Sequence, residues 1–475
     1  MRGNSFFCMM DVQRWINSFC SPYIFGILML VLFGGCVGIP GQAEKQARQN
    51  AAEIAAKFQP QALPALSTNA NLSDFLQYAM LNSPRVRAAY FEWLSSVERI
   101  TQARSLPNPL LTFQSDISSV VRTLMPGLMQ EFPGPGKLGL RAQAASAGSQ
   151  AKYFAFEDAV LQTAFAFKRA YYRLYFLDGR IRINRRNLSL LTDLEKIARA
   201  QNESGKVTLQ DVLRAQIEED RLATDIANLE DSFNPLLAQL KAALGLTAEQ
   251  PDPPVPAHFE STPLDLTSDQ LLTTAFVRNP RLKAMEAEVL RAEAVLGLAY
   301  KTRVPDFGLG LMADVKAAPV MFRPLFGMTL PVWRDKIAAE IAGAQADKSA
   351  AKARLTEEQI MLTVDFAVKT FAFREISRNL KLLQEKLIHK ARQSLEIARS
   401  GYSAGQIDFF NLIDAERTLL NFELAEVEAR AQREIILAEL SLIILGTPPE
   451  NAPLLAPSST TMPNRRSQSS HETKN

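Results

Sequence analysis

Apolar positions along the chain change period in a fixed order, and that order occurs twice. From Leu72 to Arg104 they recur at helical spacing; Asn82-Ser83-Pro84 breaks the run and Pro107-Asn108-Pro109 ends it. Leu111, Phe113 and Ile117 then alternate with Thr112, Gln114 and Asp116, the period of a strand with one apolar side. A second extended stretch at about 124–133 closes at Pro133-Gly134-Pro135-Gly136. A long helix is predicted from about residue 137, where Phe154, Leu161, Phe165, Tyr172 and Phe176 step by sevens and fours. At ~1.5 Å per residue, its roughly 65 residues reach close to 100 Å. Glu203-Ser204-Gly205 turns the chain. Leu222, Ile226, Leu229, Phe233, Leu236 and Leu240 then return it to Leu244-Gly245, where glycine can take the left-handed cap conformation.

About two hundred residues further on, the same succession returns, the mark of a tandem duplication. Pro84-Arg85 is answered by Pro280-Arg281, Phe132-Pro133 by Leu330-Pro331, and Leu244-Gly245 by Leu445-Gly446. Gly205 to Gln216 (GKVTLQDVLRAQ) is answered by Gly405 to Glu416 (GQIDFFNLIDAE). The second strand pair is expected at Phe307 to Val315 and at Phe326 to Val332. In its long helix Phe366, Phe373, Leu380 and Leu387 recur as heptads. The organisation read from this is 1–35 leader, 36–70 N-terminal extension, 71–250 first repeat, 251–263 linker, 264–447 second repeat and 448–475 disordered tail.

Cysteine use changes the picture at the N-terminus. Cys8, Cys20 and Cys36 are the chain's 3 cysteines, so no disulfide or thiolate cluster can form in the body. Arg2 and Arg14 precede the apolar run Tyr23 to Phe33, which is short for a spanning helix and suits a secretory signal. Leu32-Phe33-Gly34-Gly35-Cys36 resembles a bacterial lipoprotein cleavage box, with Phe33 in place of the usual leucine. The resemblance implies acylation of Cys36. Val37 follows in place of the aspartate that retains lipoproteins at the inner membrane, which implies the outer membrane.

Net charge is +3, which predicts no nucleic-acid partner. No catalytic constellation or cofactor site emerges. The histidines His258, His389 and His471 have no metal-ligand spacing; Gly136-Lys137 lacks the rest of a phosphate loop, and Gly308-Leu309-Gly310 lacks its third glycine. Met125, Met129, Met312, Met321 and Met328 cluster in the strand region, where packing or lipid contact is the ordinary role.

Four strands cannot close a membrane barrel, since such barrels begin at about eight. An open sheet in lipid leaves edge groups unpaired at several kcal/mol each. Sharing the barrel among identical chains is the remedy. A barrel of about eight strands is filled by its own side chains, so a conduit favours three copies or more.

The repeated unit of helix, strand pair, heptad helix and return helix ending in Leu-Gly resembles the TolC outer-membrane efflux family. So does Tyr402-Ser403-Ala404-Gly405 followed by Leu412-Ile413-Asp414-Ala415. This resemblance implies a mainly α fold with membrane β: a homotrimer with a 12-stranded β-barrel, four strands per chain, continuous with a coiled-coil periplasmic barrel. It implies a passive conduit, not an enzyme, that docks a periplasmic adaptor and an inner-membrane pump. An acylated Cys36 resembles the family's lipoprotein branch, which serves resistance-nodulation-division pumps. The stretch Gln130 to Leu138 looks similar to members handling heavy metals. By motif position Tyr402 and Asp211 match a link that holds the periplasmic gate, and Asp414 matches a ring carboxylate. Asn411 stands where a second carboxylate is usual and Ile407 where a linking arginine often sits, so a less acidic gate is expected, with Asp408 compensating in part. Asp408 and Asp414 also suit the plain role of solvated helix-start residues. Gly205 and Gly405 are expected as tip turns, where an adaptor could dock. An outer-membrane duct for type I protein secretion and a lipid-tethered coiled-coil scaffold are the competing readings.

Overall fold

The computed structural model describes residues 40–58, 63–64, 66–67, 71–117, 121–255, 261, 271–315, 319–449 and 452–455. The leader, Cys36 and most of the tail lie outside the described residues, as do His258 and His471. A short N-terminal helix, α1 (Gln42–Lys57), is followed by α2 (Leu72–Asn82), α3 (Pro84–Arg104), β1 (Leu110–Ile117) and β2 (Val121–Phe132). Then come α4 (Lys137–Glu203), α5 (Leu209–Asp231) and α6 (Phe233–Ala243). The second copy gives α7 (Leu271–Arg278), α8 (Pro280–Lys301), β3 (Phe307–Asp314), β4 (Met321–Met328), α9 (Arg334–Leu382), α10 (Ile388–Ser403) and α11 (Phe409–Ala438). The chain forms two compact units, each drawing on both copies: Met1–Asn50, Leu94–Gln150 and Ala287–Ala353; and Ala51–Trp93, Ala151–Glu286 and Arg354–Asn475.

The first unit carries one antiparallel sheet of order β1-β2-β3-β4. Directly paired residues share a face. Leu111 pairs with Leu128, Leu128 with Leu311, and Leu311 with Pro324; Phe113, Leu309, Phe322, Phe326 and Met328 lie on the same side. Of these, Leu111, Phe113 and Phe326 are more than 60% exposed (65%, 63% and 68%), so much of this apolar face is uncovered. The other face carries Thr112, Gln114, Glu131, Asp314 and Arg323, with Gly127, Gly308, Gly310 and Gly327. Glu44 of α1 is buried and binds Arg104 Nε at 2.8 Å and Thr101 Oγ1 at 2.7 Å, which fixes α1 to α3.

One strand departs from its expected position. β4 spans Met321–Met328, upstream of the predicted Phe326 to Val332. Its length is set by β3: Phe307 is the last paired residue, opposite Met328, and Pro305 lies just before it. Thr329 N still reaches Asp306 O at 2.9 Å, and beyond it Pro331 has no N–H to continue a ladder.

In the second unit the recurring Leu-Gly has a packing reason. Gly245 and Gly446 have φ of 71° and 64°. A Cβ at Gly245 would lie 2.7 Å from Asn82 O, and one at Gly446 would lie 3.0 Å from Arg278 O. Asn82 Nδ2 donates to Leu244 O and Gly245 O; in the second copy Asn279, one position further on in the repeat, donates to Ile443 O and Ile444 O. Two π-helical turns, Leu383–Leu387 and Glu439–Ile444, interrupt the second copy's hairpin.

Candidate functional site: the hairpin tips

Each long helix ends in a Schellman-type turn. Gly205 (φ 72°) donates to Asn202 O at 2.9 Å while Lys206 N reaches Gln201 O at 2.9 Å. Gly405 (φ 69°) donates to Tyr402 O at 3.0 Å while Gln406 N reaches Gly401 O at 2.8 Å. A Cβ at Gly205 or Gly405 would meet nothing within 4 Å, so backbone conformation alone requires glycine there. The return helices start with Thr208 and Asp408 as N-caps.

Tyr402 is buried against Phe409, with ring centroids 5.3 Å apart. Its hydroxyl has no hydrogen-bond partner, and burial, then the charge of Asp211, pushes it up to about 12. Asp211 lies close enough to be felt, but its Oδ2 accepts from Thr208 N (3.3 Å) and Thr208 Oγ1 (3.0 Å) in a capping box. Capping therefore occupies the carboxylate that Tyr402 was expected to use. Asp408, Asn411 and Asp414 are exposed. Asn411 and Asp414 line a groove of about 330 Å³ with Ser394, Ile397 and Thr418. Asp408 caps α11 through its backbone, its carbonyl accepting from Asn411 N at 3.1 Å.

The bonds that join the two hairpins lie deeper. Arg417 of α11 grips Glu218 of α5 with two nitrogens, Nε to Oε2 at 3.0 Å and Nη2 to Oε1. Arg186 of α4 binds the largely buried Glu423 of α11 across the hairpins, and Arg392 of α10 binds the same carboxylate within its own hairpin. Arg214 of α5 stacks over Phe410 at 5.6 Å. Around them lies a core of Leu191, Leu194, Val212, Leu222, Leu395, Phe409, Leu412 and Leu419. The sequence reading passed over Arg417, Glu218 and Glu423, because opposite charges in different helices carry no periodic signal.

Glu416 was also overlooked, although the duplication points to it. In the first copy Gln216 Nε2 donates to Glu195 Oε1 at 3.0 Å. Glu416 occupies the position of Gln216, but Leu395 stands where Glu195 would be. Glu416 is 1% exposed and its Oε1 has no partner. Burial, then the neighbouring Glu218, raises its carboxyl to about 7, with Arg417 partly opposing. A carboxyl raised above its unfolded value stabilises the fold fully below that unfolded value, and the contribution is lost as pH rises through the folded one. The contribution of Glu416 to the guanidinium midpoint should therefore fall between pH 4.5 and about 7. Glu416→Gln should flatten that slope; an unchanged slope would show that Glu416 does not titrate there.

A four-stranded sheet with an apolar face, alternating in the chain with long helical hairpins, is the arrangement expected of one protomer of an outer-membrane channel. Residues 271–446 match the family described as outer membrane efflux protein. The chain is 22% identical over 353 residues to the cobalt-zinc-cadmium resistance protein CzcC of Cupriavidus metallidurans, spanning 73% of this chain and 83% of that protein. Its fold is similar to that of CusC, with a TM-score of 0.70 and 15% identity, covering 80% of this chain and 93% of that one. Its fold is also similar to that of the outer membrane protein VceC of Vibrio cholerae, with a TM-score of 0.68 and 17% identity, covering 79% of this chain and 96% of that one.

Proposed function

We propose that three copies of this chain form the outer-membrane conduit of a tripartite efflux system, passing small molecules or metal ions received from an inner-membrane pump through a periplasmic adaptor. The observation that carries this reading is the sheet: two free edges, one apolar face, and an opposite face that mixes Thr112, Gln114, Glu131, Asp314 and Arg323 with methionines and glycines. Three such sheets, edge to edge, close a barrel that is apolar outside and carries every charged residue of the paired positions on its inner face. The long hairpins supply the periplasmic part, and their tips form its gate, with Tyr402 and Asp211 behind it and Asp408, Asn411 and Asp414 on its surface. Three copies of a carboxylate at a narrow pore favour cations. Gly205 and Gly405 place the turns an adaptor would meet. Acylation of Cys36, with the outer-membrane lipid as its partner, belongs to the same proposal. So does assignment to resistance-nodulation-division pumps that expel heavy metals, supported by the name of the relative CzcC.

Deleting the gene should sensitise a Gram-negative host to heavy-metal ions or amphiphilic drugs, with the intact gene restoring resistance. Unchanged sensitivity together with loss of a secreted protein would overturn efflux in favour of secretion.

A further inference from the structure

The two hairpin tips differ in where they carry charge. Gln216 in the first copy is neutral and bonds Glu195; Glu416, its counterpart, is titratable and its Oε1 meets no donor. One position on, Arg417 stands where the first copy has the exposed Ile217. Glu218, which Arg417 grips, is answered in the second copy by Thr418. The Arg417–Glu218 bridge therefore has no reciprocal, and a buried carboxyl with an unpaired oxygen lies directly beside it. On the conduit reading, on which this inference rests, that bridge ties the helices that close the periplasmic end.

The helices packed around Glu416 meet it chiefly with apolar residues. The buried side of α10 is Ala391, Leu395 and Ala398, and that of α4 is Leu191, Leu194 and Ala198. Two charged groups act on Glu416: Glu218 of α5, which repels its ionised form, and Arg417 of its own helix, which attracts it. Arg417 is already engaged by Glu218, Nε to Oε2 at 3.0 Å, and it also feels Asp414. The remaining acids at this level are occupied within the first hairpin. Glu195 is bound by Arg199 and Gln216, and Glu219 interacts with Glu195 and Thr192 of α4.

We propose that Glu416 is a proton-operated latch: protonated, it lies neutral beside the Arg417–Glu218 bridge and the tips stay closed; ionised, it drives α11 away from α5 and opens them. A carboxylate cannot remain charged in an apolar site without a cation or water. Arg417 can serve Glu416 and Glu218 together only by drawing two like charges close. Relief comes from moving the start of α11 until the carboxylate reaches solvent, and that movement parts the bridge. Loss of the bridge alone would open the tips little; the buried charge supplies the drive. Arg186 and Glu423 still join the hairpins about two turns further along α11, so the motion is confined to the tips. Burial, then Glu218, raises the Glu416 carboxyl to about 7, so the tips open as pH rises through neutrality.

The test is single-channel conductance of the purified protein in planar bilayers, measured about one and a half pH units either side of neutrality. The wild type should conduct severalfold more on the alkaline side. Glu416→Gln, which keeps the shape and supplies the residue type of the first copy, should conduct equally little on both sides. Glu218→Gln removes a charge that raises the Glu416 carboxyl and frees Arg417 to attract it, so its opening midpoint should move to lower pH. A response that survives Glu416→Gln belongs to another group, such as the exposed His389 of α10, and overturns the latch. An unmoved midpoint in Glu218→Gln overturns it too. Where Glu416→Gln fails to assemble by native mass, hydrogen exchange of the wild type decides, corrected for the intrinsic pH dependence of exchange. Above neutrality α11 should lose protection from Phe409 to Leu419 and keep it around Glu423; equal protection on both sides overturns the latch. A protein that forms no channel at any pH would instead defeat the conduit reading.

Discussion

A channel carrying Arg417→Glu should conduct severalfold more than its parent across planar bilayers at neutral pH. Arg417 is the cation that bridges the hairpins at Glu218, and the charges of Asp414 and Glu416 also act on it. A half-exposed ion pair is itself worth only ~0–1 kcal/mol, so Arg417→Ala should open the tips little. Reversal is different, because it sets several carboxylates together with no cation among them. At ~4 Å and an effective dielectric of about 20, each such contact costs on the order of 4 kcal/mol, and closer to 1 in full solvent. In the proposed three-copy conduit the same strain recurs in each copy. Adding Glu218→Arg restores a pair with its sense exchanged and should return conductance towards the parent value. High conductance in the doubly reversed channel would mean that position, not charge, holds the tips.

Trp93→Ala should be the most damaging single change in the helical unit. Trp93 is 2% exposed and meets Tyr153 at 4.9 Å, Phe156 at 6.0 Å and Tyr90 at 6.1 Å. Phe156 is fully buried, so the ring cluster cannot collapse into the space left behind. Such a truncation costs about 3–5 kcal/mol, a large share of a typical domain's stability of ~5–15 kcal/mol. A lower guanidinium midpoint and a poorer yield of assembled protein are expected. Tyr90→Phe keeps the ring and loses only the bond to Ala51 O at 2.9 Å. It should cost ~0.5–1.5 kcal/mol. Equal losses from the two substitutions would show that the aromatic cluster is not the anchor described here.

Much of this fold could be read from residue periodicity because it is local. Heptads over about seven turns, strand alternation beside Pro-Gly turns, and Leu-Gly stops are written in adjacent residues. The duplication also let each half check the other. Long-range partners were not legible in that way. β4 ends where β3 runs out of residues to pair, a limit set by Pro305 and Asp306 and not by the alternation through Val332. The two π turns carry no sequence mark of their own. At the tips, motif position located Tyr402 and Asp211, but only the structure shows Thr208 occupying the Asp211 carboxylate. Glu416 could have been found from the duplication: its counterpart Gln216 has Glu195 to bind, and Leu395 removes that partner.

The claim beneath all of this is that a sheet with two open edges and a bare apolar face must be completed by further copies of itself. Native mass spectrometry of the purified protein in detergent tests it most directly. The account predicts a complex of three chains; a single chain that keeps its strands and stays monomeric would contradict it.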